Sequence, residues 1–497
     1  LIHQILTPAP DIEEWFMHCK NSMGVSIGVS FSDTSLSEKF RYPITGTSDA
    51  VRLFRLYLEW DPQLALAIQE ANIPRSSIRG SEWYCDIQYE IVNGSRAATV
   101  DKDNEIDRMI AIEPTLNMFF QQGLMHLMVA SLKGFGLDIA VLQDEHQLLA
   151  LWNSVIRKLG TLDWRSASDC VHYLLVKSTF PKGWFSSLNL VRSPSMEVDG
   201  KEVILPMFST MGNATTFPIE TLLFYAFAHV VVTDDTTSSS LCPKSDHKLK
   251  GVSVFGDDCI VPEPHVAEFT RQCEMYGFML NLDKSFTSIH CEFRESCGGD
   301  FFDLRNVRPF YLKAPTGVRV SDLESWLYII FNRLLKKYIT YFGSLNYIYA
   351  GSVFEEIKIL FRAYNIHPMA VPADFPDDSG LHVLPDLDRW LRAGWNFHLP
   401  TVTSTGSLKI NFKRWTYEDK ANHGRGNKPK IHLALWQMYK KACRVRAPET
   451  VWTYDMIDGK VVPYLQFVEE DPIVSRFGSF QSLKTEDDVT TAFYKRR

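Results

Sequence analysis

The stretch Val252–Pro262, VSVFGDDCIVP, sets two adjacent carboxylates between two apolar, β-prone runs. Successive strand residues point to opposite faces, so two neighbouring Asp inside one continuous strand could not share a ligand. A turn removes that restriction. Val252–Phe255 and Cys259–Val261 therefore read as a hairpin with Gly256, Asp257 and Asp258 at its tip. Gly256 supplies backbone freedom there and lets another segment approach closely. Two unit charges about 4 Å apart at an effective dielectric near 20 repel by about 4 kcal/mol. A divalent cation is the most direct offset, because Mg²⁺ takes one or two carboxylates together with waters and phosphate oxygens. An ordinary hairpin with a solvated Asp-rich turn accounts for the same residues, so the remainder of the chain has to decide between the two.

At 497 residues, 45% hydrophobic and 13% aromatic, the chain can bury a large core and is expected to form two to four subdomains. Its longest clean apolar run, Leu222–Val232, is interrupted by His229 and is too short to span a bilayer, so it reads as a buried helix segment and no membrane partner is expected. Nine cysteines without a CxxC pair point to reduced thiols in a cytoplasmic compartment rather than to zinc. No signal-peptide pattern opens the chain, and it begins at Leu1, so the N-terminus is expected to be incomplete. The net charge of −7 does not exclude nucleic acid, because binding depends on local fields. Between Lys409 and Arg446, eleven Lys and Arg stand against Glu418 and Asp419, with Phe412, Trp415, Tyr417, Trp436 and Tyr439 interleaved. A phosphate-tracking groove with base-stacking aromatics has this composition, and so does a solvated helix face with buried aromatics. On the first reading Lys428 and Lys430 are the RNA-binding candidates.

The order of elements predicts an α+β layout, a small antiparallel sheet backed by helices. Helices are expected near Ala50–Ala71, Ser166–Phe180, within Ser209–Val232 and at His265–Tyr276. The chain reads as mainly helical from Arg305 to Tyr364 and loop-rich thereafter. In GTLDWRSASDC, Asp163 ends a short apolar strand and is placed to complete a metal site begun by the hairpin; a loop or capping role is the alternative. Asp169 lies at a helix start, where the dipole favours a negative side chain as much as a substrate contact would. Phosphoryl or nucleotidyl transfer with two metal ions about 3.5 to 4 Å apart needs carboxylates from separate segments, which Asp163, Asp257 and Asp258 satisfy. Lys102 and Arg108 upstream and Lys284 downstream are candidate phosphate contacts and proton donor. Ser209, Thr210, Gly212 and Asn213 form a tight turn before a long helix, suited to contacting a sugar hydroxyl or the template backbone.

Taken in order, IDRMIAIEPTLNMFFQQGL, LDWRSASD, PKGWF, LVRSP, STMGN, VFGDD, DKSF and FRESCG resemble the replicase catalytic β subunits of the leviviruses, small positive-strand RNA bacteriophages. The resemblance runs from about Val100 to Tyr311. It implies an RNA-directed RNA polymerase shaped as a right hand, with residues 1–95 as N-terminal region and part of the fingers, 96–160 as fingers with the triphosphate loop, 161–304 as palm, and 305–497 as thumb and C-terminal region. It implies Asp163, Asp257 and Asp258 as metal carboxylates holding two Mg²⁺ ions, with Mn²⁺ as the alternative ion, and Lys284 as general acid. Asp169 and Asn213 would select the ribose 2′-hydroxyl, Ser209 and Gly212 would shape the nucleotide pocket, Lys102 and Arg108 would hold the triphosphate, and FRESCG would begin the segment beside the nascent strand. Glu105 stands where the family carries a second lysine, which weakens phosphate binding at that position. Partners implied by resemblance are template and product RNA, NTPs, host elongation factors Tu and Ts and a host ribosomal protein, in the cytoplasm of an infected bacterium.

Two other readings compete. A reverse transcriptase also carries paired aspartates on a hairpin, but it has an aromatic or Met where Gly256 stands, and sugar selection by Asn213 would be out of place. An inert RNA-binding protein on a polymerase fold predicts lost carboxylates, whereas all three are present.

Overall fold

The computed structural model describes residues 1–22, 24–30, 34–72, 87–101, 107–234, 251–311, 320–342, 347–372, 375–384 and 387–397. Beyond these it describes Leu433, Trp436 and the backbone of strands between residues 401 and 494. The chain divides into two compact units, Leu1–Arg308 with Lys430–Trp436, and Pro309–Pro429 with Gln437–Arg497. Helices and strands are mixed in both.

In the first unit, α1 (Ser48–Trp60) and α2 (Pro62–Asn72) occupy the region expected to be a single helix. The break falls at Asp61, which accepts from the Leu64 N–H at 3.3 Å, while Pro62, with no N–H to lose, starts the second helix. Strands β1 (Ser95–Asp101) and β2 (Asp107–Ile112) form an antiparallel pair, followed by α3 (Thr115–Gly134) and α4 (Ile139–Ile156). Next come β3 (Leu159–Leu162), β4 (Trp164–Arg165), α5 (Ala167–Cys170), α6 (Tyr173–Thr179) and, further on, α7 (Lys182–Val191). The single helix expected over Ser166–Phe180 is thus two short ones. Of these, α6 is capped afresh by His172, whose Nδ1 accepts from the Leu174 N–H. Strands β5 (Ser195–Val198) and β6 (Lys201–Ile204) join β1 and β2 in a four-stranded sheet of order β2-β1-β5-β6, in which β1 and β5 run parallel.

Helix α8 (Thr216–Asp234), the hairpin β7 (Ser253–Phe255) and β8 (Asp258–Pro262), α9 (Val266–Met275), β9 (Met279–Leu280), and a second hairpin β10 (Phe293–Ser296) and β11 (Gly299–Phe302) complete this unit. The central sheet has the order β3-β8-β7, antiparallel throughout, with Ile260 opposite both Thr161 and Ser253. Leu162, Cys259 and Val254 lie on the other face and share one buried core with Phe224 of α8 and with Phe269 and Cys273 of α9. Trp164 of β4 closes that core, stacking on Phe224 at 5.4 Å and meeting Phe269 edge-on at 5.8 Å. Helix α8 is long and apolar enough to cross a bilayer, yet two thirds of its window is buried inside the protein, where it is the core helix beneath the sheet.

The fully buried Arg294 ties the sheet to the second hairpin. Its guanidinium donates to the carbonyls of Leu159, Cys291, Phe293 and Ser288 at 2.7 to 3.2 Å. A lysine has a single head and cannot span these acceptors. Arg294→Lys is therefore expected to destabilise the unit by about 3 kcal/mol, because buried carbonyls and a buried charge lose their partners together. Chemical denaturation followed by tryptophan fluorescence measures it, and a loss under about 1 kcal/mol would contradict this role.

The second unit packs α10 (Val320–Phe342) against α11 (Tyr347–Ala363), β12 (Ala370–Pro372), β13 (Leu381–Leu384) and α12 (Leu387–Arg392). Phe331 lies at its centre, about equally close to Phe354, Trp390 and Trp395 at 5.0 to 5.1 Å. The region expected to be loop-rich also holds β14 (Thr401–Thr405), β15 (Ser407–Tyr417), β16 (Glu449–Ile457), β17 (Lys460–Val468), β18 (Leu483–Val489) and β19 (Ala492–Tyr494). The first quarter of the basic, aromatic segment is thus strand, not a helix face. Trp436, counted above among candidate stacking aromatics, is buried in the first unit and donates its indole N–H to Asp61 at 2.7 Å. Lys428 and Lys430 lie outside the described residues.

Candidate active site

Phe255 pairs with Asp258, so Gly256 and Asp257 form a two-residue loop and Asp258 opens β8. Gly256 has φ +63°, where glycine is favoured, and a β-carbon there would lie 2.4 Å from the Phe217 ring. The Gly256 N–H donates to Thr221 Oγ1 at 2.9 Å, and Phe217 meets Phe255 edge-on at 4.7 Å. One turn of α8 therefore holds the loop from below and fixes where both carboxylates emerge.

Asp163 follows the last residue of β3. Since Leu162 pairs with Cys259, continuing the register by one step sets Asp163 opposite Asp258. The segment Asn281–Phe286 anchors it: Asn281 donates its side-chain amide to Asp163 Oδ2 at 2.6 Å and its N–H to the Asp163 carbonyl, while Ser285 Oγ accepts the Asp163 N–H. The Phe286 bridge to Thr161 lays the same segment along β3. Asn281 and Ser285 were not singled out in the sequence, although both flank Lys284 in NLDKSF.

The electrostatics tie these segments together. Burial, then the Asp163 charge, pushes the Asp257 carboxyl above the usual range, while Lys284 and Arg108 pull it down. Burial, then Asp257 and Glu295, pushes Asp258 up to about 7. Glu220, one turn of α8 beyond Phe217, is buried and is pushed up to about 8 by burial, then by Asp257 and Asp169. The structure thus brings Asp163, Asp257, Asp258, Lys284 and Arg108 into one field, with Asp169 coupled through Glu220. Glu220 and Glu295 were missed; the available signal was a lone carboxylate inside the apolar run TFPIETLLFYAF and another at an inner position of FRESCG. Lys102 lies outside the described residues.

The turn Ser209–Asn213 sits against β2. Gly212 has φ +134°, a β-carbon there would lie 2.0 Å from the Ala111 carbonyl oxygen, and the Ala111 N–H donates to the Met211 carbonyl at 2.7 Å. Asn213 Oδ1 accepts from the N–H and hydroxyl of Thr215, an Asx turn that commits its oxygen and leaves its amide N–H₂ as the remaining polar group. Ser209 Oγ accepts from Thr216 Oγ1 at 2.8 Å. Arg192, from LVRSP, donates to the Met207 and Phe208 carbonyls just before this turn, and its neighbour Ser193 donates to the wholly buried Glu113 of the AIEP stretch at 2.6 Å. Two of the recognised blocks therefore act as scaffolding for a third.

Among the described residues, no three His, Cys, Asp or Glu side chains converge closely enough to hold an ion by themselves. The donor chemistry nevertheless fits a hard divalent cation. The Asp163, Asp257 and Asp258 carboxylates emerge at neighbouring strand ends, their protonation is favoured by burial and mutual repulsion, and Mg²⁺ completes its shell from waters and phosphate oxygens.

The chain is 33% identical over 319 residues to the RNA-directed RNA polymerase beta chain of Enterobacteria phage fr, an overlap of 64% of this chain and 53% of the relative. It is 33% identical over 321 residues to that of Escherichia phage MS2, with the same coverage. It is 31% identical over 314 residues to the RNA-directed RNA polymerase subunit beta of Escherichia virus Qbeta, covering 63% of this chain and 47% of the relative. The chain thus spans about half the length of the curated relatives it matches. The family model described as RNA replicase, beta-chain, matches residues 1–342, more than two thirds of the sequence, and the chain belongs to that family.

Proposed function

We propose that this chain carries the catalytic centre of an RNA-directed RNA polymerase that copies a single-stranded RNA phage genome from NTPs. One observation carries the reading: carboxylates from two distant segments, Asp163 and Asp257 with Asp258, stand at neighbouring strand ends with Lys284 and Arg108 in the same electrostatic field. An inert polymerase-like fold has no use for buried, mutually repelling carboxylates, which cost stability.

In this reading, Asp163, Asp257 and Asp258 would hold two divalent ions, Mg²⁺ or Mn²⁺, which when bound neutralise charge on the attacking 3′-oxygen and the leaving pyrophosphate. Arg108 on β2, with Lys102, holds the triphosphate, and Lys284 donates the proton taken by pyrophosphate. The Asn213 amide, at the end of the tight turn, and Asp169, within α5, read the ribose 2′-hydroxyl, while Ser209 and Gly212 shape the pocket. Sheet and helices from residues 161 to 304 serve as palm, residues 1 to 160 as N-terminal region and fingers, and the rest as thumb and C-terminal region of a right hand. Elongation factors Tu and Ts and a host ribosomal protein are the proposed partners, in the infected bacterial cytoplasm.

The test is incorporation from labelled NTP and dNTP on an RNA template. The reading predicts a preference for ribonucleotides of at least about 10²-fold, since a site that hydrogen-bonds a hydroxyl rejects the analogue lacking it. Preference for dNTPs would transfer the site to a reverse transcriptase, and no incorporation of either would support an inert fold.

A further inference from the structure

Residues 279–286 run antiparallel along residues 161–165 with one interruption. Met279 and Leu280 of β9 pair with Arg165 and Trp164 of β4, the next step sets Asn281 opposite Asp163, and Phe286 bridges to Thr161. Two steps from Asp163 back to Thr161 therefore face five from Asn281 to Phe286, and Leu282, Asp283 and Lys284 project between them as an exposed loop. The Lys284 N–H donates to the Asn281 carbonyl at 3.1 Å, so the loop is a turn with Asn281 first and Lys284 last. Its neck closes on one residue. The Asn281 N–H donates to the Asp163 carbonyl at 2.9 Å, the Asn281 side-chain amide donates to Asp163 Oδ2 at 2.6 Å, and Ser285 Oγ accepts the Asp163 N–H at 3.1 Å. An ionised carboxylate only accepts, so the atom facing Oδ2 is the amide nitrogen.

We infer that Asn281 is a positioning residue for Asp163: its amide pins Oδ2, leaves Oδ1 to a divalent cation, and ties that carboxylate to the loop that presents Lys284. The inference rests on the proposed reading of Asp163 as a metal-holding carboxylate. The side-chain bond has a role that the others cannot fill, because the main-chain bonds from Asn281 and Ser285 fix the Asp163 backbone and leave its carboxylate to choose among rotamers. The Asp163 charge is repelled by those of Asp257 and Asp258, so without a donor behind it the carboxylate would turn away from the hairpin tip. An amide donates without bringing a positive charge to compete with the cation. Partners of this kind typically contribute 10- to 100-fold to metal affinity.

The test measures Mn²⁺ binding to the full chain by the electron paramagnetic resonance signal of the free ion, which needs no turnover. Asn281→Ala is expected to weaken binding by about 10-fold. Asn281→Leu, close to Asn in size but without an amide, should match it and keeps the test open should Asn281→Ala fail to fold. Ser285→Ala, which loses contacts to the Asp163 main chain alone, is expected to stay within about 3-fold of the parent. A loss in Ser285→Ala equal to that in Asn281→Ala would assign the effect to the loop as a whole and overturn the side-chain role. Asp163→Asn separates the two levels of the claim. If that variant binds Mn²⁺ as the parent does, the reading of Asp163 as a metal carboxylate falls. If it loses Mn²⁺ while both Asn281 variants bind normally, the positioning role alone is overturned.

Discussion

Asp257→Asn is expected to abolish nucleotide incorporation, by about 10³-fold or more, equivalent to about 4 kcal/mol of transition-state stabilisation. Asn has nearly the same shape and leaves the Gly256 contacts with Thr221 and Phe217 in place, but it carries no charge to hold a cation. Its effect on stability should have the opposite sign. The folded state raises the Asp257 pKa, so the ionised form is disfavoured by folding, and stability falls as pH rises from the unfolded pKa through the folded one. Removing the charge removes that penalty, so at neutral pH the variant should melt at the same temperature as the parent or higher. A variant that loses activity and melts lower would instead place Asp257 in a structural role. Activity near that of the parent would remove it from the chemistry.

The second large effect is expected at Gly212. A β-carbon there would sit 2.0 Å from the Ala111 carbonyl oxygen, a backbone atom that cannot swing aside as a side chain can, and the φ of +134° is strained for any other residue. Gly212→Ala should therefore cost at least about 3 kcal/mol. The displaced strand is β2, which carries Arg108 three residues before Ala111, so the guanidinium would shift relative to Asp257. A misplacement of about 1 Å is enough to reduce turnover about 10²-fold. Thermal unfolding and nucleotide KM together check this. Unchanged values for both would mean that the turn and β2 do not sit as described.

The hairpin was legible because two short β-prone runs surround a glycine-led turn, and Asp163 was legible because an apolar approach ends on it. What holds Asp163 was not legible: Asn281 and Ser285 arrive from more than a hundred residues away, through a bridge whose register depends on the folded sheet. Glu220 was hidden for a different reason. Helical periodicity marks α8 as core, and only its neighbours in space turn a buried carboxyl into part of a site. The helix boundaries at Asp61 and His172 were missed because capping depends on local geometry that apolar spacing does not report. In the last hundred residues, basic and aromatic side chains fit a strand or a helix equally well on composition, so β15 could not be read in advance.

The most direct measurement is labelled GMP incorporation on a poly(C) template by this chain in Mg²⁺, set beside AMP incorporation on the same template and the Asp257→Asn variant. Templated transfer at the described carboxylates predicts GMP uptake by the parent, negligible AMP uptake, and neither in the variant. Uptake that ignores the template, that persists in Asp257→Asn, or that is absent from the parent under these conditions and with factors Tu and Ts added, would contradict it.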